Sequence, residues 1–405
     1  MAFDYTMNPS SSFIPESEIN DRLNRLQERM LEISLHGALI FEPVELLYYT
    51  GSMPSGVLFV PAEGEPALFV RRNFDRTRSE SPIRKVIAFT SFKEIVTLLQ
   101  KRSLPFSMLG IDEHSTTLSY FKLLKKNFVS SKFADIGPDL RRIRSVKSPY
   151  ELGKLNQAAA VGRTVTAMIP ELLVPGISEW ELVLRLFHET ALLGRSCLTR
   201  LAFNSGECFM GAVCFGDSAN YPSSFDGPDG VPGKSPVCPS GGSDRKLERG
   251  DLVFVDMLFP FDEYYVDKTR IFSLGQPDEP VLKAHETCLQ IQRAVQRRLV
   301  PGAIPSRIYE EVFAEVVSPG AFGDDFMGFG SNQVKFLGHG VGMVINEYPV
   351  IARKSDEPLE ANMTLAIEPK KGLVGIGMVG IENTFQVTPG GGVNLTVDND
   401  EIVVV

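Results

Sequence analysis

The sequence predicts two domains, an α/β unit followed by an α+β unit, and three observations carry that prediction. The chain has 405 residues, too many for one small domain. Its first ~140 residues alternate short β-rich runs with amphipathic helical stretches. A helix-start signature then opens a second region, in which helices interrupt longer strand-like segments.

Ile19, Leu23, Leu26 and Met30 recur at spacings of four, three and four, which is one apolar helix face within residues 16–35. Gly37–Phe41, Leu46–Tyr49, Val57–Val60 and Ala67–Val70 read as strands, with turns at Pro43, Gly51, Pro54-Ser55-Gly56 and Gly64. Lys93–Lys101 and Leu118–Lys126 read as helices on either side of a strand at Met108–Ile111. Ser148-Pro149-Tyr150-Glu151 then supplies a cap, a proline at the first helical position and a glutamate three residues after the cap. It opens a helix running toward Ile169 and sets the domains at residues 1–146 and 147–405. Further helices are expected at 178–193, 280–299 and 305–317. Between Gly216 and Asp244 glycine, proline and serine dominate, and a loop of that length is usually functional or disordered.

Hydrophobic residues at 43% and charged residues at 22% fit a soluble globular chain with a sizeable core. Lys and Arg total 41 against 50 Asp and Glu, a net charge of −9, so no basic field gathers a nucleic acid. No apolar run reaches the ~18 residues of a membrane span. The opening residues lack the basic region and apolar core of a secretory signal. The cysteines Cys197, Cys208, Cys214, Cys238 and Cys288 are odd in number and contain no CxxC pair, which predicts neither a disulfide framework nor a zinc ribbon. The expectation is a cytoplasmic protein with no nucleic-acid or membrane partner.

The chemistry concentrates in the last 160 residues or so. Gly250–Asp256 reads as a turn entering a buried strand that delivers Asp256. Asp267 follows eleven residues later on a returning strand, after a loop at Pro260–Glu263, and hairpin geometry can bring the two acids together. His339 stands among Gly338, Gly340 and Gly342, where a backbone can approach a ligand closely. Glu368 and Glu382 sit in apolar, strand-like contexts. Carboxylates are costly to bury unless paired or metal-bound, and this set has no matching row of Lys or Arg. It asks for cations.

Asp256, Asp267, His339, Glu368 and Glu382, in that order and with the flanks GDLVFVD, DKTRIF, GHGVG, AIEP and IEN, resemble the dinuclear metal site of the pita-bread metallopeptidases. That family includes prolidase, aminopeptidase P and methionine aminopeptidase. The likeness covers essentially the whole chain and implies an α/β N-terminal domain plus an α+β pita-bread (creatinase/aminopeptidase-like) catalytic domain. It implies two divalent ions, with Asp256 on one, Asp267 and Glu382 bridging, and His339 and Glu368 completing the second. Mn²⁺ suits such a donor set best, and Co²⁺, Zn²⁺ or Fe²⁺ is tolerated. A hydroxide between the ions would attack an Xaa-Pro peptide bond, and Glu368 would take the proton and pass it to the leaving nitrogen. The resemblance also implies a homodimer.

The substrate-handling positions depart from the family pattern. Asn346 stands where a second His is usual, Gly380 where an Arg is usual, and Pro239 where another His is usual. An Asn still donates a hydrogen bond but cannot act as an acid. Asn346 is therefore the candidate for catalytic assistance and substrate binding, joined by Lys371. Lys370 and Lys371 read by default as a solvated pair, with supply of the missing cation as the sharper alternative. His36, His114, His188 and His285 fall outside any ligand pattern, and Trp180 reads as packing. Two other functions stay open: a hydrolase or lyase acting on a small non-peptide amide or related acid, and a non-catalytic binding module.

Overall fold

The computed structural model describes residues 13–102, 104–201, 209–223, 225, 227–318, 322 and 325–405. Cys208 lies outside the described residues. The chain divides into two compact units, Met1–Arg144 and Ser145–Val405. No described helix is long and apolar enough to cross a membrane.

The first unit is built on a six-stranded sheet. Its order is Val86–Ala88, Ala67–Arg72, Ser55–Pro61, Gly37–Ile40, Met108–Ile111 and Lys132–Asp135. The central strands pair antiparallel and the outer ones parallel, the pattern of an α/β layer. The helix at Glu16–Glu32 buries Ile19, Leu23, Leu26 and Met30, the four residues of its apolar face. Leu46–Tyr49 departs from expectation: it belongs to a helix, Pro43–Thr50. Glu42 caps that helix by accepting from the Glu45 N–H at 2.8 Å, and Gly51 ends it in the left-handed conformation. Pro43 is thus the first residue of a helix, where its missing N–H costs nothing, rather than a turn between strands.

The second unit carries two antiparallel sheets that meet at the site. One contains Gly211–Phe215, Leu252–Phe261 and Tyr264–Ser273, with Val403–Val404 added in parallel at its edge. The other has the order Glu347–Ala352, Phe336–Gly340, Thr364–Ile367, Asn383–Thr388 and Gly391–Asn394. A short ribbon, Lys370–Leu373 against Gly377–Gly380, bridges successive strands of the second sheet. Helices cover the sheets at Pro149–Leu172, Glu179–Gly194, Glu279–Arg298 and Pro305–Val312, the last continuing as a π-type turn through Val317.

The helix at Pro149–Leu172 begins as its sequence dictates. Glu151 N–H donates to Ser148 Oγ at 3.2 Å, and Ser148 N–H donates to the Glu151 carboxylate at 2.9 Å. Glu151 is fully buried and also accepts from Tyr264 Oη at 2.9 Å, which ties the helix start to a strand of the site. Gly162 lets the helix close on that sheet, since a Cβ there would lie 3.0 Å from the Phe259 ring. Leu155, Val165 and Ile169 are buried on the same side. Each such aliphatic side chain contributes about 1.5–3 kcal/mol on burial.

Candidate metal centre

Asp256 and Asp267 stand on one hairpin, Leu252–Phe261 returning as Tyr264–Ser273. Its turn is only Asp262-Glu263, shorter than the sequence suggested, with Asp262 in the left-handed region. Register places Asp256 opposite Thr269 and Asp267 opposite Leu258. Residues opposite one another share a face, and so do residues two apart. The two acids are therefore diagonal neighbours on the face toward the second sheet.

His339 lies in the strand Phe336–Gly340, between the strands Glu347–Ala352 and Thr364–Ile367. Its neighbouring glycines serve strand-to-strand contact rather than approach of a backbone to a ligand. A Cβ at Gly338 would lie 2.2 Å from the Ala366 carbonyl oxygen, and one at Gly340 would lie 2.5 Å from that of Tyr348. His339 Nδ1 is 3.1 Å from the Gly340 carbonyl oxygen. A carbonyl only accepts, so Nδ1 carries a proton. Burial lowers the pKa of the ring, but Glu368 and Asp267 outweigh it and favour a proton on Nε2 as well until a cation takes its place. Nε2 faces Glu368 Oε1 at 3.2 Å, and Asp267 Oδ2 and Glu382 Oε1 at 4.0 Å each.

Glu368 follows the end of the Thr364–Ile367 strand, and its N–H donates to the Leu337 carbonyl at 3.1 Å. Glu382 precedes the Asn383–Thr388 strand. Its Oε2 accepts from Thr269 Oγ1 at 2.9 Å, while its buried Oε1 has no hydrogen-bond partner among the described residues. The backbone beneath is fixed as well. Arg270 Nη1 donates to the Glu382 carbonyl at 2.9 Å, and Asp267 N–H donates to Thr384 Oγ1 at 3.0 Å, joining the two sheets.

Ligand atoms of these residues form two groups, each held within 4.8 Å: Asp267, His339 and Glu382, and Asp256, Glu368 and Glu382. An imidazole whose Nδ1 is held by a carbonyl and whose Nε2 is turned to three carboxylates, one of them with an orphaned oxygen, fits a cation, and oxygen donors with one imidazole suit a divalent metal. Sequence reasoning singled out all five of these residues; it weighed Lys370 only as one of a lysine pair, solvated by default, and it did not mark Asp229. Lys370 Nζ is 2.6 Å from Asp256 Oδ2, 2.7 Å from Glu368 Oε2 and 3.3 Å from Glu382 Oε2. Asp229, buried within the 216–244 segment, places Oδ1 3.6 Å from the same nitrogen. That segment is largely packed, starting with a 3-10 turn at Gly216–Asn220.

The structure does not bring Lys371 to the donors. Side chains alternate along a strand, and Lys371 Nζ lies 5.4 Å from the Phe322 ring centroid. Asn346, half-buried and in the left-handed region at φ 58°, ends the loop that follows the His339 strand. Gly380 is the strand partner of Lys370. Pro239 lies by Gly233, where an added Cβ would meet the Pro239 backbone at 2.6 Å. His36, His114, His188 and His285 belong to neither donor group. Of the described cysteines, Cys214 and Cys288 are buried, Cys238 is half-buried and Cys197 is exposed; all four are free. Trp180 packs against Phe209, ring centroids 5.9 Å apart.

The carboxylates titrate unequally. Burial alone would raise Glu368, but the Lys370 ammonium and His339 outweigh it and hold the group at about 2. Burial and then Asp256 push Asp267 up to about 8. Burial pushes Asp229 to about 7 against the pull of Lys370. A carboxyl raised above its ordinary value of 3.8 stabilises the fold fully below that value, and the contribution is lost as pH climbs through about 8. The melting temperature of chelator-treated protein should therefore fall between about pH 6 and pH 8. Saturating Mn²⁺ should remove that fall, because the ion replaces the proton. Scanning fluorimetry across pH with and without chelator checks this; matching slopes in both samples would count against it.

The fold and this donor cluster define a pita-bread catalytic domain equipped to hold divalent metal. Residues 153–389 match the Metallopeptidase family M24 profile, and residues 22–146 match the Creatinase/Prolidase N-terminal domain. The chain belongs to metallopeptidase family M24, whose members use divalent metal ions. It is 26% identical over 390 residues to the Xaa-Pro dipeptidase of Pyrococcus furiosus, covering 95% of this chain and 100% of that one. It is 25% identical over 388 residues to the Xaa-Pro dipeptidase of Pyrococcus horikoshii, covering 95% and 99%. The fold is shared with a solved Xaa-Pro dipeptidase from Bacillus anthracis (TM-score 0.79, 20% identity, 96% and 100% of the chains). It is also shared with the X-Pro aminopeptidase of Thermotoga maritima (TM-score 0.77, 22% identity, 95% and 99%).

Proposed function

We propose that this protein is a metal-dependent hydrolase of Xaa-Pro peptide bonds, acting through residues 147–405. The observation that carries the reading is the convergence of Asp256, Asp267, His339, Glu368 and Glu382 around two overlapping donor groups. The similarity to two Xaa-Pro dipeptidases over nearly their whole length supports the substrate class.

Asp267, His339 and Glu382 would hold one divalent ion, and Asp256, Glu368 and Glu382 are the carboxylates left for the second ion that the resemblance implies; Mn²⁺ is the ion that oxygen donors with one imidazole favour. Such an ion, when bound, supplies Lewis acidity and a water of lowered pKa. Glu368 is set between His339 and Lys370, held ionised and able to accept a proton, which it returns to the leaving nitrogen. His339 keeps its orientation through Nδ1 and the Gly340 carbonyl. Asn346 is assigned to the substrate side, where its amide donates a hydrogen bond to the peptide. A reducing cytoplasm suits the free thiols of the four described cysteines, and the resemblance favours a homodimer, which sedimentation checks.

The test is turnover by Mn²⁺-loaded protein on Xaa-Pro dipeptides, Xaa-Pro tripeptides and non-proline controls. Proline-selective cleavage is expected, and the preferred length separates dipeptidase from aminopeptidase. Absence of cleavage by metal-loaded protein would remove the peptidase reading. The second reading, hydrolysis or lysis of a small non-peptide amide or acid, is favoured by one observation: Asn346, Gly380 and Pro239 replace the charged and acid-base groups expected around the substrate.

A further inference from the structure

We propose that Lys370 is a tethered counter-cation that replaces one metal ion, so that the centre loads a single divalent ion in the Asp267–His339–Glu382 group. The inference rests on the metal-dependent reading above and refines it.

The two donor groups are not equivalent. In the Asp256–Glu368–Glu382 group, one ammonium meets a carboxylate oxygen of every member, at 2.6, 2.7 and 3.3 Å. An ammonium has three N–H donors, so all are used. A metal bound there would stand ~2.0–2.2 Å from the same oxygens, in the space the nitrogen occupies. The lysine is also enclosed. It has no exposed surface, the Phe254 ring centroid lies 5.7 Å from Nζ, and Asp229 adds a fourth carboxylate at 3.6 Å.

The local backbone is arranged for that side chain. Lys370 pairs with Gly380 across the short ribbon, and a Cβ at Gly380 would stand 2.7 Å from Lys370 Cγ. The same Cβ would stand 2.6 Å from the Pro369 carbonyl oxygen, so glycine at 380 makes room for the ribbon's backbone as well as for the lysine.

Among the described residues, no lysine or arginine side chain is paired with Asp267 Oδ2, His339 Nε2 or Glu382 Oε1, the atoms of the other group. His339 Nε2 stands 4.0 Å from both Asp267 Oδ2 and Glu382 Oε1, and Glu382 Oε1 has no hydrogen-bond partner among the described residues. One group is thus satisfied by the chain itself and the other is not.

Metal content tests this directly. Full-length protein is loaded with excess Mn²⁺, freed of unbound ion, and assayed by elemental analysis and electron paramagnetic resonance. One ion per chain with the spectrum of an isolated Mn²⁺ is expected. Two ions per chain, or the exchange-coupled spectrum of a pair ~3.5–4 Å apart, would overturn the proposal. Lys370→Ala should raise the count from one to two; a folded variant that still binds one ion would also overturn it. If that variant does not fold, the count and spectrum of the native protein decide alone. Turnover on the same samples keeps the two readings apart. One ion without Xaa-Pro cleavage supports this proposal while removing the peptidase reading, and two ions with cleavage removes this proposal only. No bound ion overturns both.

Discussion

Glu368→Gln is expected to lower kcat/KM on an Xaa-Pro substrate by about 10²–10⁴-fold while leaving the protein folded. Glutamine keeps the shape of the side chain. Its carbonyl oxygen can accept from Lys370 Nζ, now 2.7 Å from Glu368 Oε2, and its amide fills the space of Oε1 beside His339, 3.2 Å from Nε2. Packing and the Lys370 hydrogen bond therefore survive, but the one group placed to take and return a proton becomes neutral and non-basic. Steady-state kinetics together with a thermal melt checks this. A loss under tenfold with an unchanged melt would assign the proton to another residue.

Arg270→Met is expected to cost about 3 kcal/mol of stability, the lower end of the range for removing one partner of a buried ion pair. Arg270 is buried beside Glu382 and Asn383. Its Nε donates to Asp398 Oδ1 at 2.9 Å, its Nη2 lies 2.9 Å from Asp400 Oδ1 and 2.8 Å from Asn383 Oδ1, and its Nη1 holds the Glu382 carbonyl. Methionine fills similar volume and supplies none of these donors. The cost stays at the lower end because Asp398 keeps Lys268 and both acids reach solvent. Urea unfolding with an unchanged slope and a lowered midpoint is the expected result. Mn²⁺ affinity should fall in the same variant, since the Glu382 backbone loses its anchor. A stable variant with native affinity would show that the network does not position Glu382.

What sequence reading could reach follows from what each signal depends on. The cluster of Asp256, Asp267, His339, Glu368 and Glu382 was legible because acids in apolar, strand-like contexts and a histidine among glycines are chemically conspicuous, whichever strands carry them. The Ser148–Glu151 helix start was legible because a capping box is local. Leu46–Tyr49 was misread as a strand because its two tyrosines favour extended structure and the run is apolar throughout, while the decisive features, the Glu42 cap and Pro43 at the first helical turn, precede it. Lys370 was harder still. Two adjacent lysines point to opposite sides of a strand, and only the pairing of Lys370 with Gly380 decides which of them turns inward. Asp229 sits between Pro228 and Gly230 in a segment whose composition reads as loop, and nothing nearby in sequence marks it as a neighbour of Lys370.

The two-residue turn at Asp262-Glu263 governs how this centre tolerates insertions. Asp262 is bound by Lys154 and Arg195 at 2.5 and 2.6 Å, and its N–H donates to the Gly194 carbonyl at 2.9 Å, so the turn is fastened to two helices. One extra residue there, with the pairing shifted by one, would carry the side chains of the returning strand to its opposite face. Asp267 would leave the centre and Asp256 would stay. Substitutions wear the donor set down one residue at a time, whereas a single-codon insertion at this turn would separate the two hairpin acids at a stroke.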